Sequence, residues 1–228
     1  EPVDVFQSGA DGYHTYRIPS MVSTTQGTLL AFAEGRKSGG GDAGDIDLLL
    51  KRSTDDGKTW SAYQVVWNDG NNTCGNPAPV VDVETGRIWL FLTWNLGADH
   101  EREIMAGQSR FPRRCYMTFS DDDGITWKDP QEMPHLRESH WRWYATGPDK
   151  GLQLTRGPSR GRLVIPCNHS DHQDPQQHPY RSHVIFSDDH GKSWKLGGVV
   201  GEKTNESTLV ELSDGRIMDN MRSYHCLL

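Results

Sequence analysis

The sequence predicts an all-β fold assembled from a repeated unit of about four strands, and three observations carry that prediction. The pattern S-x-D-x-G-x-[TS]-W occurs at residues 53–60, 120–127 and 187–194, each copy starting 67 residues after the one before. Each copy follows a β-prone run, at 46–52, 115–119 and 183–186, and precedes another short one. Between the copies, apolar stretches are brief and divided by Gly, Asn, Asp and Pro, with no extended helical periodicity.

The residue types of the box suit a hairpin corner. Asp can accept hydrogen bonds from nearby backbone amides, Gly can take positive φ, and Trp supplies an apolar anchor. These aspartates are therefore read as markers of the fold rather than as catalysts. Further strands are expected at 28–33, 79–83, 87–93, 163–167, 208–212 and 216–221. About four strands per 67-residue unit is the arithmetic of a propeller blade, and 228 residues hold about 3.4 such units. Propellers close with at least four blades, so residues 1–228 are expected to form one partial domain, with the remaining blades supplied from outside the chain.

Composition narrows the function. Twenty-four Lys and Arg against 31 Asp and Glu leave a net charge of −7, which disfavours a nucleic-acid binder. No stretch approaches the roughly 18–20 apolar residues of a membrane span, and residues 1–11 lack the pattern of a signal peptide. The first residue is Glu rather than Met, so an upstream segment is expected to be missing. Cys74, Cys115, Cys167 and Cys226 are widely spaced with no CxxC pair, and are expected as buried free thiols.

The motif Tyr16-Arg17-Ile18-Pro19, followed about 20 residues later by Ala33-Glu34-Gly35-Arg36 and joined to the three boxes, resembles the [FY]-R-I-P motif, second arginine and Asp boxes of sialidases. The resemblance implies a six-bladed propeller enzyme that removes terminal sialic acid from glycoproteins, glycolipids or oligosaccharides. Sialic acid carries a carboxylate on its anomeric carbon, and planar guanidinium groups bind such an anion through bidentate charge-assisted hydrogen bonds. By resemblance, Arg17 is the first arginine of a carboxylate clamp, Arg36 the second, and Arg222 joins the set. Asp42 lies in the flexible run Lys37-Ser38-Gly39-Gly40-Gly41-Asp42-Ala43-Gly44-Asp45 and matches the family's acid/base aspartate. Asp45 is its rival, and Asp47 reads as structural. Glu206, 16 residues before Arg222, matches the glutamate that polarises a tyrosine nucleophile, with Glu211 the competing choice.

The last arginine of the clamp and the nucleophilic tyrosine are not found and are expected beyond residue 228. Tyr224 is expected on the strand or in the core. Tyr144, in Trp141-Arg142-Trp143-Tyr144-Ala145-Thr146-Gly147-Pro148, and Asn76, in Asn76-Pro77-Ala78-Pro79, are further candidates for substrate contact. The run 168–174 with His178 and His183 is rich in ligand-capable side chains, but its spacing matches no helix-borne zinc pattern, and a solvated rim loop is expected instead. No metal or cofactor is implied. A secreted, periplasmic or lysosomal setting suits a glycan-trimming enzyme. The rival readings are a sialic-acid-binding propeller without turnover, and another Asp-box propeller such as a sorting receptor or glucan hydrolase.

Overall fold

The structure is a computed structural model that describes residues 2–171 and 180–224. Three antiparallel units and one hairpin follow each other along the chain. The first unit holds β1 (Thr15–Ser23), β2 (Leu29–Arg36), β3 (Ile46–Ser53) and β4 (Gln64–Trp67). The second holds β5 (Thr73–Val81), β6 (Ile88–Asn95), β7 (Arg114–Ser120) and β8 (Gln131–Glu132), with a short helix α1 (Glu101–Met105) between β6 and β7. The third is built on β11 (Leu163–Asp171), paired with β9 (Trp141–Thr146), β10 (Leu152–Gln153) and β12 (Tyr180–Ser187), with β13 (Lys195–Glu202) on β12. The hairpin is β14 (Thr204–Glu211) with β15 (Ile217–Ser223). One parallel bridge, Ile46 to Thr73, joins the first two units into a single sheet.

The sheets stack face to face, and β6 explains how. Its run Ile88-Trp89-Leu90-Phe91-Leu92 is apolar throughout because both faces are covered. Successive side chains of a strand point to opposite faces. Ile88, Leu90 and Leu92 accordingly pack with Leu30, Phe32, Leu48 and Leu50 of the first unit, while Trp89 and Phe91 pack with Tyr144, Leu163, Ile165 and Trp194 of the third. Cys74, Cys115 and Cys167 are buried free thiols, and Cys226 lies outside the described residues.

The three boxes fold alike. In each, the serine hydroxyl accepts from the glycine amide four residues on (2.8–2.9 Å) and donates to the aspartate at 2.8 Å; that aspartate accepts from the Thr or Ser amide four residues further on at 2.8–2.9 Å. Asp56, Asp123 and His190 take φ near +60° immediately before the glycines, which also have positive φ, giving the tight corner its twist. The second and third boxes also grip the unit before them. Asp123 accepts from Thr28 Oγ1 (2.6 Å) and Arg52 Nη2 (2.9 Å), and His190 Nδ1 lies 2.9 Å from Asp82 Oδ2. Register places every box at one end of its unit: Ser53 pairs with Leu29, Ser120 with Ile88 and Ser187 with Leu163. The opposite end carries the site.

Candidate active site

The inner strands are bent where they reach that opposite end. The register of β1 slips between Arg17 and Ser20, that of β5 between Gly75 and Ala78, and that of β14 between Thr204 and Ser207. Such bulges re-aim side chains out of the ladder. Ile18 and Asn76 have φ of 52° and 54°, and Ile18, Asn76, Asn205 and Glu206 all border one cleft of about 340 Å³. Arg17, Arg36, Asp42 and Arg222 border it too, so most sequence-predicted residues converge on a single place.

Arg17 and Arg36 meet at a carboxylate. Asp42 Oδ1 lies 3.0 Å from Arg17 Nη1 and 2.8 Å from Arg36 Nη2. Arg36 is about 2 % exposed, and its Nε and Nη2 both donate to Glu34 Oε2, at 2.9 and 2.5 Å. Its Nη1 donates to the carbonyls of Gly40 (2.6 Å) and Gly41 (2.8 Å). Four hydrogen bonds within the chain therefore engage this guanidinium, with the Asp42 carboxylate beside it as an ion-pair partner. Arg36 thus ties the inner strand layer to the glycine-rich loop, while Arg17, half exposed, can reach a ligand. Glu34 completes the tie by accepting from the Asn76 amide at 2.8 Å with its other oxygen. Gly75 is required beside it, because a Cβ there would run into the Glu34 carboxylate.

On the far wall, Arg222 Nη1 donates to Glu206 Oε2 at 3.1 Å, both groups being solvent-accessible. The other carboxylates considered lie elsewhere. Asp45 pairs with Lys37 at 3.0 Å, Asp47 is buried and accepts from Tyr13 Oη at 2.6 Å, and Glu211 accepts from Thr155 and Arg156.

Three expectations need correction. Tyr144 is fully buried in the core with its hydroxyl 3.1 Å from His183 Nε2; its neighbours Trp143 and Ala145 border the cleft instead, as strand alternation requires. Tyr224 borders the cleft, where its hydroxyl accepts from Asn205 Nδ2 at 2.8 Å, rather than packing in the core. Residues 168–171 are not a solvated loop but the end of β11. His169 and His183 are buried with their Nδ1 atoms 3.0 Å apart, and His169 stacks on Trp141 at a centroid distance of 3.4 Å. Burial pushes their basicity down to about 2 for His169 and about 3 for His183, with His183, Arg181 and His140 adding repulsion at His169. The rest of that expected loop, 172–179, lies outside the described residues. Among the described residues, no group of three His, Cys, Asp or Glu side chains is placed to hold a metal ion, and no helix is long and apolar enough to cross a membrane.

Sequence reasoning missed Glu34 as the partner of Arg36, and it missed Arg113, Asn168, Glu101 and Tyr180, which also border the cleft. Tyr180 donates to Glu101 Oε1 at 2.5 Å across the second and third units. Arg113 is buried over the ring of Trp143 (4.2 Å) and donates to Asn76 Oδ1 at 2.7 Å. Its signal is the neighbour Arg114 and nothing more, because the packing that buries it is contributed 30 residues later.

Comparison with known proteins bears on this cleft. Residues 27–227 match the BNR repeat-like domain. The chain is 34% identical over 233 residues to an exo-alpha-sialidase of Aspergillus fumigatus, covering 92% of this chain and 52% of that protein. It is 32% identical to a sialidase of Micromonospora viridifaciens, covering 96% and 34% respectively. Among solved structures, the Hadza microbial sialidase Hz136 superposes with a TM-score of 0.82 at 29% identity, over 95% of this chain and 44% of that one. The chain spans about half the length of the Aspergillus relative and less of the other two. With its repeats, its strand order and its matches all agreeing, the chain belongs to the sialidase family and carries that family's BNR repeat-like domain.

Proposed function

We propose that residues 1–228 form the first part of the six-bladed catalytic domain of an exo-sialidase, which hydrolyses terminal α-linked sialic acids from glycoconjugates with retention. One observation carries this reading: Arg17, Arg36, Arg222, Asp42 and Glu206, contributed by two separate sheets, face one cleft, and a carboxylate oxygen already sits between two of the guanidinium groups. That oxygen belongs to Asp42 and has the chemistry of the sugar acid.

Arg17 and Arg222 receive the substrate carboxylate through charge-assisted hydrogen bonds. Because that carboxylate competes with Asp42 for Arg17, binding moves Asp42 off the arginine and toward the glycosidic oxygen, on a loop rich in glycine. Protonated Asp42 then donates to the leaving oxygen while a tyrosine hydroxyl from outside residues 1–228 attacks the anomeric carbon. Glu206 takes the phenol proton. In the second half, Asp42 as carboxylate takes a proton from water, the water oxygen replaces the tyrosine, and Glu206 returns the proton to it. A neutral nucleophile suits a substrate whose own carboxylate would repel an anionic one. With a net charge of −7, attraction for the anionic sugar comes from this arginine cluster rather than from the whole molecule.

The test is titration of a methyl α-sialoside followed by ligand-observed NMR. Arg17→Ala weakens binding by at least about tenfold, the loss expected for a charge-assisted pair, while the melting temperature stays within a few degrees. Unchanged affinity in Arg17→Ala contradicts the assignment.

A further inference from the structure

At the end of the molecule away from the cleft, the turn Gly-Arg-[Ile/Leu] occurs three times, at 86–88, 161–163 and 215–217, with each glycine at positive φ and each apolar residue opening a strand. In the second and third units this turn makes a clasp with the neighbouring box strand. Arg87 donates from Nε and Nη2 to the two oxygens of Asp121 at 2.6 and 3.0 Å, and Arg162 does the same to Asp188 at 2.7 and 3.2 Å. Each guanidinium also lies over the aromatic ring just before the box, Phe119 at 4.2 Å and Phe186 at 4.4 Å. Register explains the recurrence. Ile88 stands opposite Ser120 and Leu163 opposite Ser187, so the arginine one residue earlier faces the aspartate one residue later. In the first unit Leu29 stands opposite Ser53, and the corresponding residues are Thr28 and Thr54. Arginine and aspartate thus occupy these two positions together or not at all, as a direct cross-strand pair requires.

The third copy of the turn stands open. β15 follows Gly215-Arg216 and lies beside β14 as β6 lies beside β5, but among the described residues it pairs with β14 alone. Arg216 is 77% exposed, against 33% for Arg87 and Arg162, and its carboxylate partner is Asp214, two residues before it. Ile217 and Met218 are exposed, whereas Ile88, Trp89, Leu163 and Val164 in the same places are buried. An edge of this kind is a template for another strand. Resting on the reading of residues 1–228 as part of a longer propeller, we propose that the edge of β15 receives a strand carrying a fourth box, from the polypeptide that follows residue 228, and that Arg216 sets its register by leaving Asp214 for the aspartate at the second position of that box. Asp121 and Asp188 lie 34 and 26 residues after their arginines, so the partner of Arg216 is expected 26–34 residues after it, at 242–250, directly behind an aromatic residue and a serine. A slip of one residue would offer Arg216 the serine instead and turn the apolar face of the strand to solvent, so this pair selects one register at the first position of the ladder.

The experiment is made on the full-length protein. Its sequence is first read for an aromatic-Ser-Asp run that places the aspartate at 242–250. Thermal melts then compare Arg216→Asp, the reversal of that aspartate to arginine, and the two reversals together. Each single reversal sets like charges opposite each other and lowers the melting temperature by about 2 °C or more, while the double reversal recovers at least about half of the summed loss. Arg87→Asp with Asp121→Arg, a pair already in contact, calibrates the size of both effects. Asp214→Ala stays within about 1 °C of the wild type, because Arg216 has left Asp214 for the incoming strand. Absence of such an aspartate, a double reversal no better than the sum of its parts, or an Asp214→Ala loss equal to that of Arg216→Asp overturns the proposal. It is also overturned if the protein is a dimer that Arg216→Asp dissociates, since a second copy then fills the edge. Arg17-dependent binding of sialosides is measured separately and is untouched by any of these results.

Discussion

The tie between Glu34 and Arg36 should be the most costly single interaction in the molecule to break by halves. Both side chains are about 2 % exposed, Glu34 Oε2 receives two N–H groups of Arg36, and Oε1 receives the Asn76 amide. Glu34→Gln keeps a carbonyl oxygen for Asn76 but removes the buried counter-charge of the Arg36 guanidinium, leaving it only the exposed Asp42 carboxylate. Removing one partner of a buried ion pair costs about 3–5 kcal/mol, which for a domain of this size lowers the melting temperature by about 10 °C or more. Urea denaturation gives the free energy directly, and a cycle with Arg36→Met gives the coupling. The double variant has no stranded charge, so it should be more stable than the sum of the single losses implies, by about 2 kcal/mol or more. A Glu34→Gln variant within about 1 kcal/mol of the wild type, or strictly additive losses, would refute the tie.

Two further predictions concern pH and the boxes. His169 and His183 have basicities below the ordinary histidine range, so the unfolded chain binds more protons than the folded one between about pH 3 and 6.5. Stability is therefore full above about pH 6.5 and falls as the pH drops, by up to about 4 kcal/mol at pH 5 for the pair. Thermal melts from pH 7.5 to 4.5 check this, and His183→Asn should flatten the profile. In the second box, burial raises Asp122 but is outweighed by bonds from Thr126 and Ser120, which hold it at about 2. Asp122→Ala should cost about 1–3 kcal/mol by urea denaturation, whereas Asp121→Ala removes only an exposed pair with Arg87 and should cost under about 1 kcal/mol.

What was legible in the sequence was local. The boxes close through bonds within five residues of each other, so Ser, Asp and Gly at fixed offsets announce them wherever they occur. The apolar run of β6 likewise carries its burial on both faces in its own composition. Arg17 was found because Tyr16-Arg17-Ile18-Pro19 resembles the sialidase [FY]-R-I-P motif, whereas the bulge beside it appears only in the structure. The errors all have long-range causes. In Trp141-Arg142-Trp143-Tyr144, alternation is clear but which set faces the core is not, and choosing Tyr144 over Trp143 is a slip of one residue that exchanges the two faces. His169 and His183 looked solvated because their neighbours in sequence are polar, while their burial comes from Trp141 and Tyr144 on β9. Arg113 and Asn168 have no sequence signature, since each is defined by a wall assembled from different strands. Arg36 was recognised as an arginine of the site, yet the Glu34, Gly40 and Gly41 acceptors that make it a support for the loop appear only in three dimensions.

The central claim is that the cleft holds the carboxylate of an acidic sugar on Arg17 and Arg222, with Asp42 giving up Arg17 to it. A crystal structure of the chain with a methyl α-sialoside tests it most directly. The account predicts the sugar carboxylate within about 3 Å of the Arg17 and Arg222 guanidinium groups, with Asp42 displaced from Arg17 toward the glycosidic oxygen. A sugar bound with its carboxylate away from Arg17, while Asp42 still bridges Arg17 and Arg36, would contradict it.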